Sequence, residues 1–174
     1  MPRPVRRRIA RPLLIAIVLI AIGLLRWLPT AQEPPEPPTP GESIYMVERV
    51  VDGDTLLLTN KARVRLLGVD TPETVKPDHP VEPWGPEATD FTRQFLVDGQ
   101  VRLELGHERK DDYGRWLAFV WVEDRLLNEE LVRAGLSPAV TYSLRSAPMK
   151  RRLLAAQAEA EEARRGIWSQ PSSR

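Results

Sequence analysis

The chain has 174 residues, no cysteine, and only two histidines, His79 and His107. That length suits one ordinary domain, and the composition excludes disulfides and thiolate chemistry and disfavours a His/Cys zinc site, so any metal would be bound by oxygen, as Ca²⁺ or Mg²⁺ is. The net charge of +1 is uneven: residues 1–30 hold six arginines and no acid, leaving 19 basic against 24 acidic groups over 31–174, a net of −5 that excludes bulk electrostatic binding of nucleic acid.

Arg3, Arg6, Arg7, Arg8 and Arg11 precede an unbroken apolar run from Leu13 to Leu25, the pattern of an export or anchoring segment. Thirteen helical residues span about 20 Å, against roughly 30 Å of hydrocarbon. Including Pro12 and Arg26-Trp27-Leu28 brings the span to about 25 Å, with Arg26 snorkelling and Trp27 at the interface. Pro29-Thr30-Ala31 is a poor cleavage site, which favours an uncleaved signal-anchor helix over residues 1–28. The arginines then stay in the cytoplasm, and a single membrane pass puts the domain on the outer, periplasmic or extracellular side. Cleavage would instead yield a secreted protein. Residues 29–43 follow as a linker whose proline-rich centre, Ala31 through Gly41, is extended and semi-rigid.

From Ile44 onward the pattern is short strands and then helices. Ile44–Val50, Thr55–Thr59 and Ala62–Val69 are rich in β-branched or aliphatic residues, with Asn60-Lys61 as a turn, and Val101–Leu105 and Trp116–Val122 complete five strands. A first helix should start at Pro86 and carry Ala88, Phe91, Phe95 and Leu96 on one face, with Gly99 ending it. Leu126–Ala134 reads as a second helix stopped by Gly135, and Pro148–Arg165 as a third with Gly166 just past its end. Five strands with a helix between the third and fourth predict an α+β domain over 44–170: an OB-type five-stranded barrel with three helices.

Three short runs carry the chemistry: Val51 through Thr55, Arg65 through Thr74, and Asp111 through Arg115. Asp54 and Asp70 each lie at a strand edge, where neighbouring strands could bring them together as an open site for a hard cation. Gly53 before Asp54 would permit a sharp turn. Glu73, three residues past Asp70 and beyond Pro72, could take a proton from an attacking water. Arg65 and Arg115 offer guanidiniums suited to phosphate oxygens and to the extra charge of a pentacoordinate transition state. Tyr113 could stack on a base or bond a phosphate. Taken singly, each has a plainer reading: a turn, a solvated loop glutamate, surface arginines, a half-buried loop tyrosine.

Together, these runs make the chain similar to the staphylococcal-nuclease-like (thermonuclease) family from about Ile44 to Trp168. The resemblance rests on Val51 through Thr55, Arg65 through Thr74 and Arg109 through Arg115, in order and at compatible spacing. Weaker agreement comes from Trp84 through Ala88, Asn128 through Leu136 and Gly166-Ile167-Trp168. It implies a five-stranded barrel with three helices and Ca²⁺-dependent endonucleolytic hydrolysis of DNA and/or RNA, leaving 3′-phosphate ends. Asp54, Asp70 and the main-chain carbonyl of Thr71 would hold Ca²⁺, with Asp52 behind them. Glu73 would act on the attacking water, Arg65 and Arg115 on the scissile phosphate, and Tyr113 on a neighbouring group.

Two departures remove positive charge near the substrate path. Asp112 stands where the family's best-known member has a lysine, and a lysine-rich loop is here Lys76-Pro77-Asp78-His79-Pro80. The rival reading is an OB-type module that binds nucleic acid or protein without cleaving. Retention of Asp54, Asp70, Glu73, Arg65 and Arg115 argues against it, since a binding module has no use for all five. The expected partners are the nucleic-acid substrate and, through the N-terminal segment, the membrane; the domain is expected to act as a monomer.

Overall fold

A computed structural model describes residues 44–74 and 81–169. The expected signal anchor, the proline-rich linker and the Lys76–Pro80 loop lie outside these residues. Among the described residues no helix is long and apolar enough to cross a membrane.

Three antiparallel strands open the domain: β1 (Ile44–Asp52), β2 (Thr55–Leu58) and β3 (Arg63–Leu66). Helix α1 (Gly85–Phe95) crosses to β4 (Gln100–Lys110), which pairs antiparallel with both β1 and β5 (Trp116–Val122). A parallel pairing of β3 with β5, from Val64 opposite Trp116 to Leu66 opposite Ala118, closes the sheet on itself. The expected five-stranded barrel with three helices is therefore present. A two-residue β6 (Arg125–Leu126) extends the end of β5, and α2 (Leu127–Arg133) and α3 (Ala147–Glu162) pack beside the barrel.

Alternation along the strands fills the interior. Leu56, Leu58, Val64, Leu66, Val101, Ala118 and Val120 are all buried, while Arg63 between the turn and Val64 faces solvent. On the helices, Leu127, Leu131 and Val132 of α2 and Met149, Leu153, Ala156 and Ala160 of α3 follow helical spacing and cover this core. The ends of α2 and α3 meet backbone to backbone. Gly135 and Gly166 both have positive φ, the Ile167 N–H donates to the Gly135 carbonyl at 2.8 Å, and a Cβ on Gly166 would fall 2.0 Å from that oxygen. Only glycine fits such a joint.

Several boundaries differ from the sequence pattern. β4 runs to Lys110 rather than stopping at Leu105, with an irregular register between the two. Helix α1 stops at Phe95, and Leu96 through Gly99 form a separate turn in which the Gly99 N–H reaches the Leu96 carbonyl at 3.0 Å. Helix α3 begins at Ala147, with Ser146 Oγ accepting from the Met149 N–H, and ends at Glu162.

Where β3, β5 and α2 meet, the fully buried Asn128 side chain ties them. Its Oδ1 accepts from the Val120 N–H at 2.9 Å, and its Nδ2 donates to the Leu67 carbonyl at 2.7 Å. Asn128→Ala would strip both groups of this partner inside the protein, at about 1–3 kcal/mol for each group left unsatisfied. Denaturant unfolding should show a loss of about 2–4 kcal/mol; a loss below about 0.5 kcal/mol would mean that water replaces the amide freely.

Candidate active site

The hairpin from β1 to β2 places two acids back to back. Asp52 pairs with Thr55 across the turn, and Gly53 and Asp54 form the turn itself. Gly53 does not have positive φ. Glycine is needed there for space: a Cβ would lie 2.7 Å from Thr71 Oγ1 and 2.9 Å from Ala88 Cβ. The expectation of a conformationally special turn is thus replaced by one of close approach between this hairpin, the loop after β3 and α1.

Asp54 is buried beneath that loop. Its Oδ2 accepts from Thr71 N–H at 2.9 Å and Thr71 Oγ1 at 3.0 Å, and its Oδ1 accepts from Thr55 Oγ1 at 3.1 Å. Burial pushes the Asp54 carboxyl above its ordinary range, and the charge of Arg65 and the bonds from Thr71 and Thr55 only partly offset this. Arg65 sits opposite Thr55 in the β2–β3 pairing. Its Nη1 forms an ion pair with Asp54 Oδ2, and its Nη2 donates to Asp70 Oδ1 at 2.6 Å. One guanidinium thus spans two carboxylates, a buried one and one whose side chain is 66 % exposed.

Asp52 faces the other way. Its Oδ1 accepts from Gly53 N–H at 2.8 Å, Thr74 Oγ1 at 2.9 Å and Thr89 Oγ1 at 3.4 Å, joining the hairpin to the far end of the loop and to α1. Glu73, in that loop, is exposed. Its backbone is held by Glu82: Glu73 N–H donates to Glu82 Oε2 at 3.1 Å, and Glu82 N–H donates to the Glu73 carbonyl at 3.0 Å.

A second group forms at the turn between β4 and β5. Asp111 Oδ1 accepts from the N–H groups of Tyr113 (3.0 Å) and Arg115 (2.9 Å), and its Oδ2 accepts from Arg115 Nε at 2.7 Å. The Arg115 guanidinium carbon lies 5.4 Å from the centre of the Tyr113 ring, which is 85 % exposed. The parallel β3–β5 register sets Arg115 beside β3, one residue before the Trp116–Val64 pair.

Of the residues singled out in the sequence, Asp54, Arg65, Asp70 and Thr71 come into direct contact, and Arg115 and Tyr113 share Asp111. Their partners were not legible. Thr89 and Glu82 are common polar residues with no motif around them, and Thr74 and Asp111 showed themselves only as parts of runs.

The arrangement suits a hard cation. Two carboxylates already converge on one positive charge, supplied by Arg65, and carboxylate oxygens are hard-cation ligands. No cluster of three or more His, Cys, Asp or Glu side chains able to hold a metal occurs among the described residues, so an ion here would draw its other ligands from backbone, water or substrate.

A family model described as staphylococcal nuclease homologue matches residues 63–170. Thermonuclease of Staphylococcus hyicus is 44 % identical over 131 residues, covering 74 % of this chain and 77 % of that protein. Thermonuclease of Staphylococcus intermedius is 47 % identical over 133 residues with the same shares. Endonuclease YncB of Bacillus subtilis is 39 % identical over 95 residues, 52 % of this chain and 45 % of that one.

Asp111 generates a pH prediction. Its partial burial opposes ionisation, but the bonds from Arg115 and Tyr113 outweigh that and hold its carboxyl below the ordinary value of 3.8. Its folded value thus lies below the unfolded one. The stability it adds is complete above 3.8 and drains away as the pH falls through the folded value. Asp111→Asn should lower stability at neutral pH and flatten its acid dependence below about pH 4. An unchanged acid limb would show that other contacts hold the turn.

Proposed function

We propose that this chain, which belongs to the staphylococcal nuclease homologue family, is a Ca²⁺-dependent endonuclease cleaving DNA and/or RNA to 3′-phosphate products outside the cytoplasm. The observation that carries this reading is the Arg65 guanidinium between Asp54 and Asp70, two carboxylates gathered around one positive charge.

Asp54 and Asp70, with the Thr71 carbonyl, would hold Ca²⁺. Bound there, the ion would supply positive charge to a phosphoryl oxygen. Asp52 braces the hairpin against Thr74 and Thr89, so the far end of the loop carrying Asp70 through Glu73 is tied to the hairpin. Arg65, relieved of neutralising the acid pair, turns to the scissile phosphate, and Arg115 approaches from β5. Both guanidiniums stabilise the charge that builds as phosphorus becomes pentacoordinate. The Glu73 carboxylate takes the proton of the attacking water. The water oxygen bonds to phosphorus, the bond to the 5′ oxygen breaks, that oxygen takes a proton from solvent and leaves as a hydroxyl, and the phosphate stays on the 3′ side. Tyr113, almost fully exposed beside Arg115, offers a face to the neighbouring nucleotide.

Residues 1–28 act as the signal anchor, 29–43 as the linker and 44–170 as the nuclease domain. The five arginines ahead of the apolar run support an inward amino terminus with the domain outside.

Purified full-length chain should nick circular DNA or cleave RNA with Ca²⁺ and stop in excess chelator; full activity in chelator would remove the metal from the mechanism. Glu73→Gln should keep Ca²⁺ and substrate binding but cleave roughly 10²–10⁴-fold more slowly, the scale of a positioned proton acceptor. Unaltered turnover in that variant would take Glu73 out of the reaction.

Topology is checked separately. The protein should remain cell-associated at full length and be degraded by protease added to the outer face of the membrane. A released fragment starting near Gln32 would show cleavage, and protection from the protease would reverse the orientation.

A further inference from the structure

The loop after β3 is held almost residue by residue. The Leu67 N–H donates to the Ala118 carbonyl and the Val140 N–H to the Gly68 carbonyl, each at 2.9 Å; Val69 pairs with Ala139, and the Thr71 N–H reaches Asp54. The Asp70 N–H donates to a neutral hydroxyl, Ser137 Oγ, at 2.7 Å across 67 residues of sequence. Ser137 is fully buried and its hydroxyl is committed twice, since it also donates to the Pro138 carbonyl at 2.8 Å. The segment carrying it is fixed in turn by α3, where Gln157 Oε1 accepts from the Ala139 N–H at 2.7 Å.

We propose that Ser137 is a positioning residue for Asp70, its hydroxyl holding the Asp70 backbone where the carboxylate can share a cation with Asp54. The inference rests on the reading of Asp54 and Asp70 as Ca²⁺ ligands. Two asymmetries carry it. Asp54 is locked from several sides and needs no help, whereas the Asp70 carboxylate is mostly exposed and bonds to the Arg65 guanidinium. That contact is given up when Arg65 turns to phosphate, and the backbone anchor then decides where Asp70 stands. Among the described residues no cluster of three or more acids is present to compensate if one carboxylate drifts. Removing the Ser137 oxygen leaves the Asp70 N–H to find water, and the loop follows it outward, away from Asp54.

The test is Ca²⁺ affinity of the full chain, measured by titration calorimetry without substrate. Ser137→Ala should weaken it about 10-fold, the lower end of the cost of deleting a group that orients a metal ligand. Ser137→Thr, which keeps the hydroxyl, should recover most of the loss. Loss of stability alone would not produce this pair of results in protein that remains folded at the temperature of titration. Native affinity in Ser137→Ala overturns the proposal, as does an equal loss in both variants. Asp70→Asn separates the two layers: if it binds Ca²⁺ normally, the ligand assignment itself fails, whereas lost binding there beside normal binding in Ser137→Ala sinks the positioning role alone. Hydrogen exchange on the unsubstituted chain is independent of how any variant folds. The Asp70 amide should exchange as slowly as its neighbours in the loop despite its exposed side chain, and fast exchange would mean that the Ser137 bond does not hold it.

Discussion

Asn128 lies where the barrel closes on itself. The β3–β5 pairing that closes the sheet is parallel and three residue pairs long. The amide adds to it, taking up the Val120 N–H on one strand and the Leu67 carbonyl just past the other, from a helix whose neighbouring Leu127, Leu131 and Val132 are themselves core. Fixing Leu67 also fixes the direction in which the chain leaves β3. Everything from Gly68 to Thr74 inherits that direction, including the threonine that locks Asp54 and the aspartate that meets Arg65. The candidate site is therefore downstream of a core amide.

The two groups of charged residues use opposite electrostatics. Asp111 is satisfied by its neighbours, and its ionised form is favoured by the fold. Asp54 is buried to the point where burial outweighs its partners, and its carboxyl is held above the ordinary value. The inter-helix network contrasts with it. Arg133 contacts Glu129, Glu130 and Glu159, and Arg152 contacts Glu129, in a mutually satisfied set whose work is to dock α3 against α2.

How much of this was legible in the chain follows from sequence distance. Asp54, Arg65 and Asp70 were readable because each sits in a short run with a turn or strand edge beside it, and adjacent antiparallel strands bring such runs together. Strands β2, β3 and β5 were readable as short runs of β-branched or aliphatic residues. The end of β4 was not: His107 through Lys110 is polar throughout and exposed, and it becomes strand only because β5 returns alongside it. The end of α1 was misplaced because Leu96 keeps helical spacing and is buried although it already caps the helix. β6 is two residues long and has no pattern to read. Ser137 escaped for a different reason. A serine after a helix-ending glycine is ordinary, and its value comes from a backbone 67 residues earlier.

Gly53 bears on how a site of this kind decays by descent. Hairpin, loop and α1 converge so tightly on its Cα that the smallest side chain would press on Thr71 and Ala88 together. A lineage that acquired alanine there would keep every charged residue, and an inspection of its acids and arginines would score it as intact. Yet Thr71 would be pushed off Asp54, and the acid pair would open from beneath. Silence in such a descendant would be written at a position that carries no chemistry of its own, and a census of reactive side chains would overlook it.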